Sequence, residues 1–206
     1  MHIKLCALTE ALATAWENYC GDLNFVSIEQ GSILEIDCDA VVSPANSFGF
    51  MDGGIDAVYK QYFGEAIELA VRRQIYEVHA GELVVGSADI VETQDEHIPF
   101  LIAAPTMRVP MVIRNTPNAY LAARATFLLV KHGVFTSGQF EGEAVENHVE
   151  TVALPGLGTG VGKISYDVCA KQVREAINHI VLEQYTMPQS WTEAVKNHRH
   201  LGETVQ

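Results

Sequence analysis

The chain has 206 residues, 48% of them hydrophobic, and 13 basic against 26 acidic side chains give it a formal charge of −13. That is one domain's length of chain with enough apolar surface for a core, and its acidic field repels phosphate backbones, so no nucleic-acid groove is expected. A small anionic ligand would have to be held by close backbone N–H groups rather than by lysines.

The opening HIKLCAL predicts a strand, and TEALATAWENY from Thr9 to Tyr19 a helix with Thr9 as its cap. FVSIEQ, Phe25 to Gln30, and DAVVSPAN, ending at Asn46, predict two short strands separated by the turn-prone EIDCD. The loop SPANSFGFMDGG then leads into IDAVYKQYFGEAIELAVRRQI, which carries a long helical pattern. LVVGSADIV (Leu83 to Val91) and PFLIAAPTM (Pro99 to Met107) predict neighbouring strands. Thr116-Pro117 is an N-cap and first-turn pair, since proline's fixed φ suits that position, and it opens a helix from Asn118 to Lys131. After a polar, acidic stretch from Thr136 to Glu150, readable as a lid or as a solvated insertion, the strand TVALP runs into GLGTGVGK. A last helix starts at Ser165, with Cys169, Val173, Ala176, Ile177 and Ile180 on one face.

Strands alternating with helices imply a largely parallel sheet covered on both faces, with ligands at the carboxyl ends of the strands. A single domain over residues 1–187 and a polar C-terminal tail over 188–206 are expected.

Two segments at such strand ends carry chemistry. Pro155-Gly156-Leu157-Gly158-Thr159-Gly160-Val161-Gly162 has glycine at every second position between a strand and a helix. Without Cβ atoms, successive N–H groups can turn toward an anion near the positive end of the helix dipole. The same glycines would also suit a turn required only for tight strand–helix packing. In Ser43-Pro44-Ala45-Asn46-Ser47-Phe48-Gly49-Phe50-Met51-Asp52-Gly53-Gly54-Ile55-Asp56, Asn46 can offer a ligand hydroxyl both a donor and an acceptor, and Gly53-Gly54 permits close backbone approach ahead of a helix. Read singly, Asn46 could instead cap a turn and Asp56 could be a first-turn carboxylate favoured by the helix dipole.

Together, VVSPANSFGFMDGGIDAVYKQYFG resembles the macrodomain pattern VNAANxxLxGGGGVDxAIxxxAG, and LPGLGTGVG resembles that family's second loop, PxIGTGxxG; the order of elements agrees from about Phe25 to Glu183. The resemblance implies a three-layer α/β/α fold with a mixed, largely parallel sheet, and a site for ADP-ribose or an ADP-ribosylated acceptor. Some macrodomains hydrolyse ADP-ribosyl linkages or related ADP-ribose phosphates; others only read the ligand. Carried over by position, Asn46 contacts the distal ribose and Asp56 orients or activates water, making these the catalytic pair. Gly53, Gly54 and Ile55 form the first diphosphate loop, and Gly156, Gly158, Thr159, Gly160, Val161 and Gly162 the second.

Ser32 and Ile33 stand where the family usually has Asp-Ile against adenine, so Ser32 brings a hydroxyl without the charge. Val161 and Gly162 replace the aromatic residue usual near the distal ribose, a wall that Phe48, Phe50 or Met51 could supply unless they pack on the core. Arg114, Asn115 and Asn118 could approach the pocket or merely cap a helix. Four spaced cysteines are expected as reduced core residues, and the eight histidines form no metal motif, so neither metal nor cofactor is expected. With no signal-like or membrane-length apolar run, a cytoplasmic location is expected.

Overall fold

The structure is a computed structural model that describes residues 1–202; the last four positions of the expected tail lie outside the described residues. Its strands are β1 (His2–Ala7), β2 (Val26–Gln30), β3 (Ala40–Ser43), β4 (Asp89–Glu92), β5 (Phe100–Ala103) and β6 (Thr151–Leu154). Its helices are α1 (Glu10–Cys20), α2 (Gly54–Phe63), α3 (Glu65–Val78), α4 (Asn118–His132), α5 (Tyr166–Ala176) and α6 (Trp191–Gly202).

The strands form one sheet in the order β2-β1-β6-β3-β5-β4. All neighbours are parallel except β4, which runs antiparallel to β5 on the edge. Side chains alternate between two cores, as the pleat requires. Ile3, Leu5, Val42, Ile102, Val152 and Leu154 face α1, α4 and α5. Cys6, Val41, Leu101, Ala103 and Ala153 face α2 and α3. The expected mixed α/β/α sandwich is therefore present, and among the described residues no helix is long and apolar enough to cross a membrane.

Several boundaries differ from the sequence reading for local reasons. β3 stops at Ser43 because Pro44 has no N–H to extend the ladder; Asn46 makes only an isolated bridge to Met107. The long helical pattern breaks at Gly64, whose φ of +87° is left-handed, giving α2 and α3. The strand read from Leu83 shrinks to Asp89–Glu92 because Gly86, at φ +95°, turns the chain. At α4 the cap moves one residue on: Pro117 flanks the helix, and Thr116 Oγ1 accepts from Asn118 N at 3.4 Å.

The acidic insertion does not sit over the strand ends that carry the glycine loops. Phe135 and Phe140 pack on Phe100, the first residue of β5, which places the segment at the opposite end of the parallel strands, and within it His148 pairs with Glu143 at 2.8 Å. Within the tail, α6 rests on α5, where the Lys171 ammonium and Gln172 Nε2 donate to the carbonyls of His200 and Leu201.

Candidate functional site

The sheet opens where β6 and β3 diverge. Their ladder joins only Ala40 to Val152 and Val41 to Ala153, and past that point each strand ends in a glycine-rich loop. The segment after β5 straps the two loops together: Ser47 N donates to the Arg108 carbonyl at 3.1 Å, and Ile113 N to the Gly162 carbonyl at 2.8 Å. Sequence reasoning did not find this strap, whose bonds cross tens of residues.

In the second loop, glycines of identical appearance do different work. A Cβ at Gly162 would lie 2.5 Å from the Gly158 carbonyl oxygen and 2.7 Å from Ile113 Cγ1, and one at Gly156 2.7 Å from Thr159 Oγ1. Gly158 holds a φ of +69°. These three shape the turn. A Cβ at Gly160, by contrast, would meet nothing within 4 Å, so the surface above it is open. Among the described residues, no acceptor takes the N–H groups of Gly158, Thr159, Gly160 or Val161. A run of unmade N–H bonds on a glycine turn leading to the N-terminal end of α5 has the chemistry of an anion cradle. Val161 is exposed and Thr159 half-buried, its hydroxyl donating to the Gly156 carbonyl at 3.2 Å.

The first loop supplies a second set of donors. Gly53 flanks α2 with no side-chain cap, and the first N–H groups of a helix lack intrahelical partners, so those of Gly54 and Ile55 remain available. Side chains at Gly53 or Gly54 would meet nothing within 4 Å. The neighbouring cations are already committed. Lys60 is taken by Asp52, Glu65 and Glu68. Arg72 lies 4.0 Å over the Phe50 ring, and Arg108 lies 5.0 Å over Phe48 while bonding Glu82. Phe48 and Phe50 thus lie against these arginines, Phe50 remaining exposed, while Met51 packs in the core.

Asn46 is bound up in the same loop. Its Oδ1 accepts from the N–H groups of Phe48 (3.2 Å) and Phe50 (3.3 Å), and its Nδ2 donates to the Phe50 carbonyl at 2.7 Å. The acceptor read from the sequence is therefore occupied internally, and one N–H of the amide is left for a ligand. Ser32 caps a single 3₁₀ turn, accepting from Leu34 N at 3.3 Å, and Ile33 buries its side chain, leaving only its backbone for a ligand. Asn118 Nδ2 donates to the Thr106 carbonyl at 2.7 Å.

Asp56 lies in the first turn of α2, only 7% exposed. Its Oδ1 accepts from Ser43 Oγ at 2.5 Å. Among the described residues, Ser47 Oγ is the fully buried side-chain polar atom without a partner; Asp56 Oδ2, which also has none, therefore keeps contact with solvent. Burial pushes the Asp56 carboxyl up to about 6, and the Ser43 hydrogen bond opposes the rise. A carboxyl in that range is ionised at neutral pH yet basic enough to take a proton.

Two cavities elsewhere, of about 590 Å³ beside α3 and β4 and about 670 Å³ beside Met1 and the end of α4, include none of these residues. The first is rimmed by Arg73, Glu77 and Glu92. The chemistry of the glycine loops, rather than cavity size, marks out the candidate site.

An α/β/α sandwich in which two diverging parallel strands each end in a glycine-rich loop defines the class of protein. The chain belongs to the macrodomain family: the Macro domain model matches residues 42–173. It is 33% identical over 152 residues to an uncharacterized protein of Aquifex aeolicus, covering 74% of this chain and 80% of that one. To an uncharacterized protein of Aeropyrum pernix it is 30% identical over 151 residues, covering 73% and 69%. Among solved structures, the macrodomain of Mycobacterium tuberculosis DarG superposes with a TM-score of 0.58 at 19% identity, over 73% of this chain and 88% of that one. The macrodomain of Thermus aquaticus DarG gives 0.56 at 18% identity, over 72% and 87%.

Proposed function

We propose that this macrodomain binds ADP-ribose, or a derivative of it, across the two glycine loops and hydrolyses an ADP-ribosyl linkage. The observation that carries the reading is the pairing of two banks of unpartnered N–H groups with a buried carboxylate, Asp56, that keeps one oxygen free. The diphosphate lies against the Gly158–Val161 turn and the start of α2, held by dipoles rather than cations. The distal ribose then reaches toward Asn46 and Asp56. A water held by Asp56 Oδ2 attacks C1″ and gives its proton to the carboxylate; the new C1″–O bond forms as the bond to the acceptor breaks, and the acceptor leaves with the electron pair.

A second reading, a module that binds ADP-ribose without turnover, is favoured by one observation: the Asn46 acceptor is already used within its loop. The two separate in one experiment. Calorimetric titration with ADP-ribose, with ADP and AMP as controls, is expected to give micromolar binding of ADP-ribose and much weaker binding of AMP, which lacks the second phosphate. With an ADP-ribosylated peptide as substrate, Asp56→Asn is expected to lower turnover about 100-fold or more while affinity changes little. Equal release by both proteins removes Asp56 from the mechanism; binding with no release by either supports the reader.

A further inference from the structure

Resting on the hydrolytic reading above, we infer that Ser43 is a positioning residue: its hydroxyl fixes Asp56 Oδ1 so that Oδ2 is the oxygen presented to the attacking water.

Ser43 is the last residue of β3 and is almost fully buried. Its backbone is held rigidly, because it pairs with Ala103 in the ladder and its carbonyl accepts from Ala104 N at 2.9 Å. Helix α2 is stitched to the same strand end at two successive residues. Tyr59 Oη donates to the Val42 carbonyl at 3.1 Å, and Ser43 Oγ donates to Asp56 Oδ1 at 2.5 Å. Asp56 and Tyr59 are three residues apart, on one helical face, so the two bonds fix both the rotation of α2 and the rotamer of Asp56. A carboxylate with both oxygens free could rotate about its last torsion; one with Oδ1 tethered cannot. Alanine or valine would satisfy β3 equally well as a strand, but neither carries a donor.

The surroundings leave this hydroxyl as the polar influence on the carboxylate. Tyr59 is the titratable group packed beside Asp56 on α2, and burial raises its phenol well above the ordinary range, so it stays neutral. Cys6 on β1 and Cys38 ahead of β3 line the same core as neutral thiols, also raised by burial. Lys60 is engaged by Asp52, Glu65 and Glu68. Removing the Ser43 donor should therefore raise the Asp56 titration midpoint and free its rotamer.

The experiment measures Asp56 in two independent ways in wild type, Ser43→Ala and Ser43→Thr. Carboxyl carbon NMR of the resting protein reads the titration directly, and the pH dependence of kcat/KM on an ADP-ribosylated peptide reads it in the reaction. In Ser43→Ala both midpoints are expected to move up by about one pH unit, the size of losing one hydrogen bond to a charged group, and kcat is expected to fall on the alkaline plateau. Ser43→Thr, which keeps the hydroxyl, should restore both. An NMR midpoint that does not move overturns the proposal whatever the enzyme does. A midpoint that moves while the rate profile stays in place also overturns it. If wild type releases nothing, the hydrolytic reading fails and the catalytic role of Ser43 falls with it, while the NMR result still reports whether the tether exists.

Discussion

The buried carboxylate makes a thermodynamic claim that needs no substrate. An ordinary aspartate titrates near about 3.9, whereas Asp56 is pushed up to about 6 by burial, with the Ser43 hydrogen bond opposing. The folded state thus holds this proton more tightly than the unfolded chain. Its ionisation weakens the fold as pH rises from the unfolded midpoint to the folded one. Above both, the cost levels off at about 3 kcal/mol, from a gap of about two pH units at 1.36 kcal/mol each. Asp56→Asn keeps the shape and the acceptor for Ser43 but cannot ionise. Relative to wild type, its stability in urea should rise with pH, by about 2 kcal/mol between about pH 4.5 and about pH 8, and change little beyond. Urea unfolding of both proteins across that range, followed by circular dichroism, provides the measurement. A difference between the two that stays flat with pH would mean that Asp56 is solvated in the folded state. Asp56 would then not be a poised base.

The two kinds of glycine in the second loop predict opposite behaviour. Gly162→Ala should destabilise the fold by about 1–3 kcal/mol, because its Cβ would collide with backbone and Ile113, whereas Gly160→Glu should leave the melting temperature nearly unchanged and abolish ADP-ribose binding by filling and charging the open cradle; binding that survives Gly160→Glu would displace the diphosphate from this loop. Ionic strength gives another check: with a net charge of −13 and a cradle of dipoles, raising salt from about 20 to about 200 mM should leave ADP-ribose affinity unchanged or improve it by screening the repulsion. A tenfold loss over that range would reveal a cationic site instead.

What could be read from the sequence was what local backbone chemistry dictates. The glycine loops, the cap at Thr9, which accepts from Leu12 N at 3.3 Å, and the cap at Ser165, which accepts from Val168 N at 3.4 Å, are each decided within a few residues. The break at Gly64 is equally local, but the apolar periodicity of the two flanking helices masked it. Non-local features were out of reach. The Ser43–Asp56 bond joins a strand end to a helix start, and no local pattern around Ser43 marks it. Gly160 and Gly162 cannot be told apart in a row of alternating glycines, because what separates them is Ile113, brought across by the strap after β5. Asn46 was legible as important, but its three bonds to Phe48 and Phe50 depend on how the loop folds back over itself.

The electrostatic organisation follows from these placements. Around the first loop the cations are used otherwise: Lys60, Arg72 and Arg108 are paired with carboxylates or stacked on phenylalanines, where they stiffen that loop. On the proposed reading the diphosphate is held chiefly by N–H groups, whose partial charges act over a few ångströms and in fixed directions. A mobile lysine would accept many anions in many poses; fixed dipoles accept one spacing of phosphate oxygens. The remaining unpaired charge at the head of α2 is Asp56, set back under Ser43 where a bound diphosphate does not have to overcome it at close range. On the proposed reading, that separation would let a net-negative protein keep both an anion site and an ionised base within one cleft.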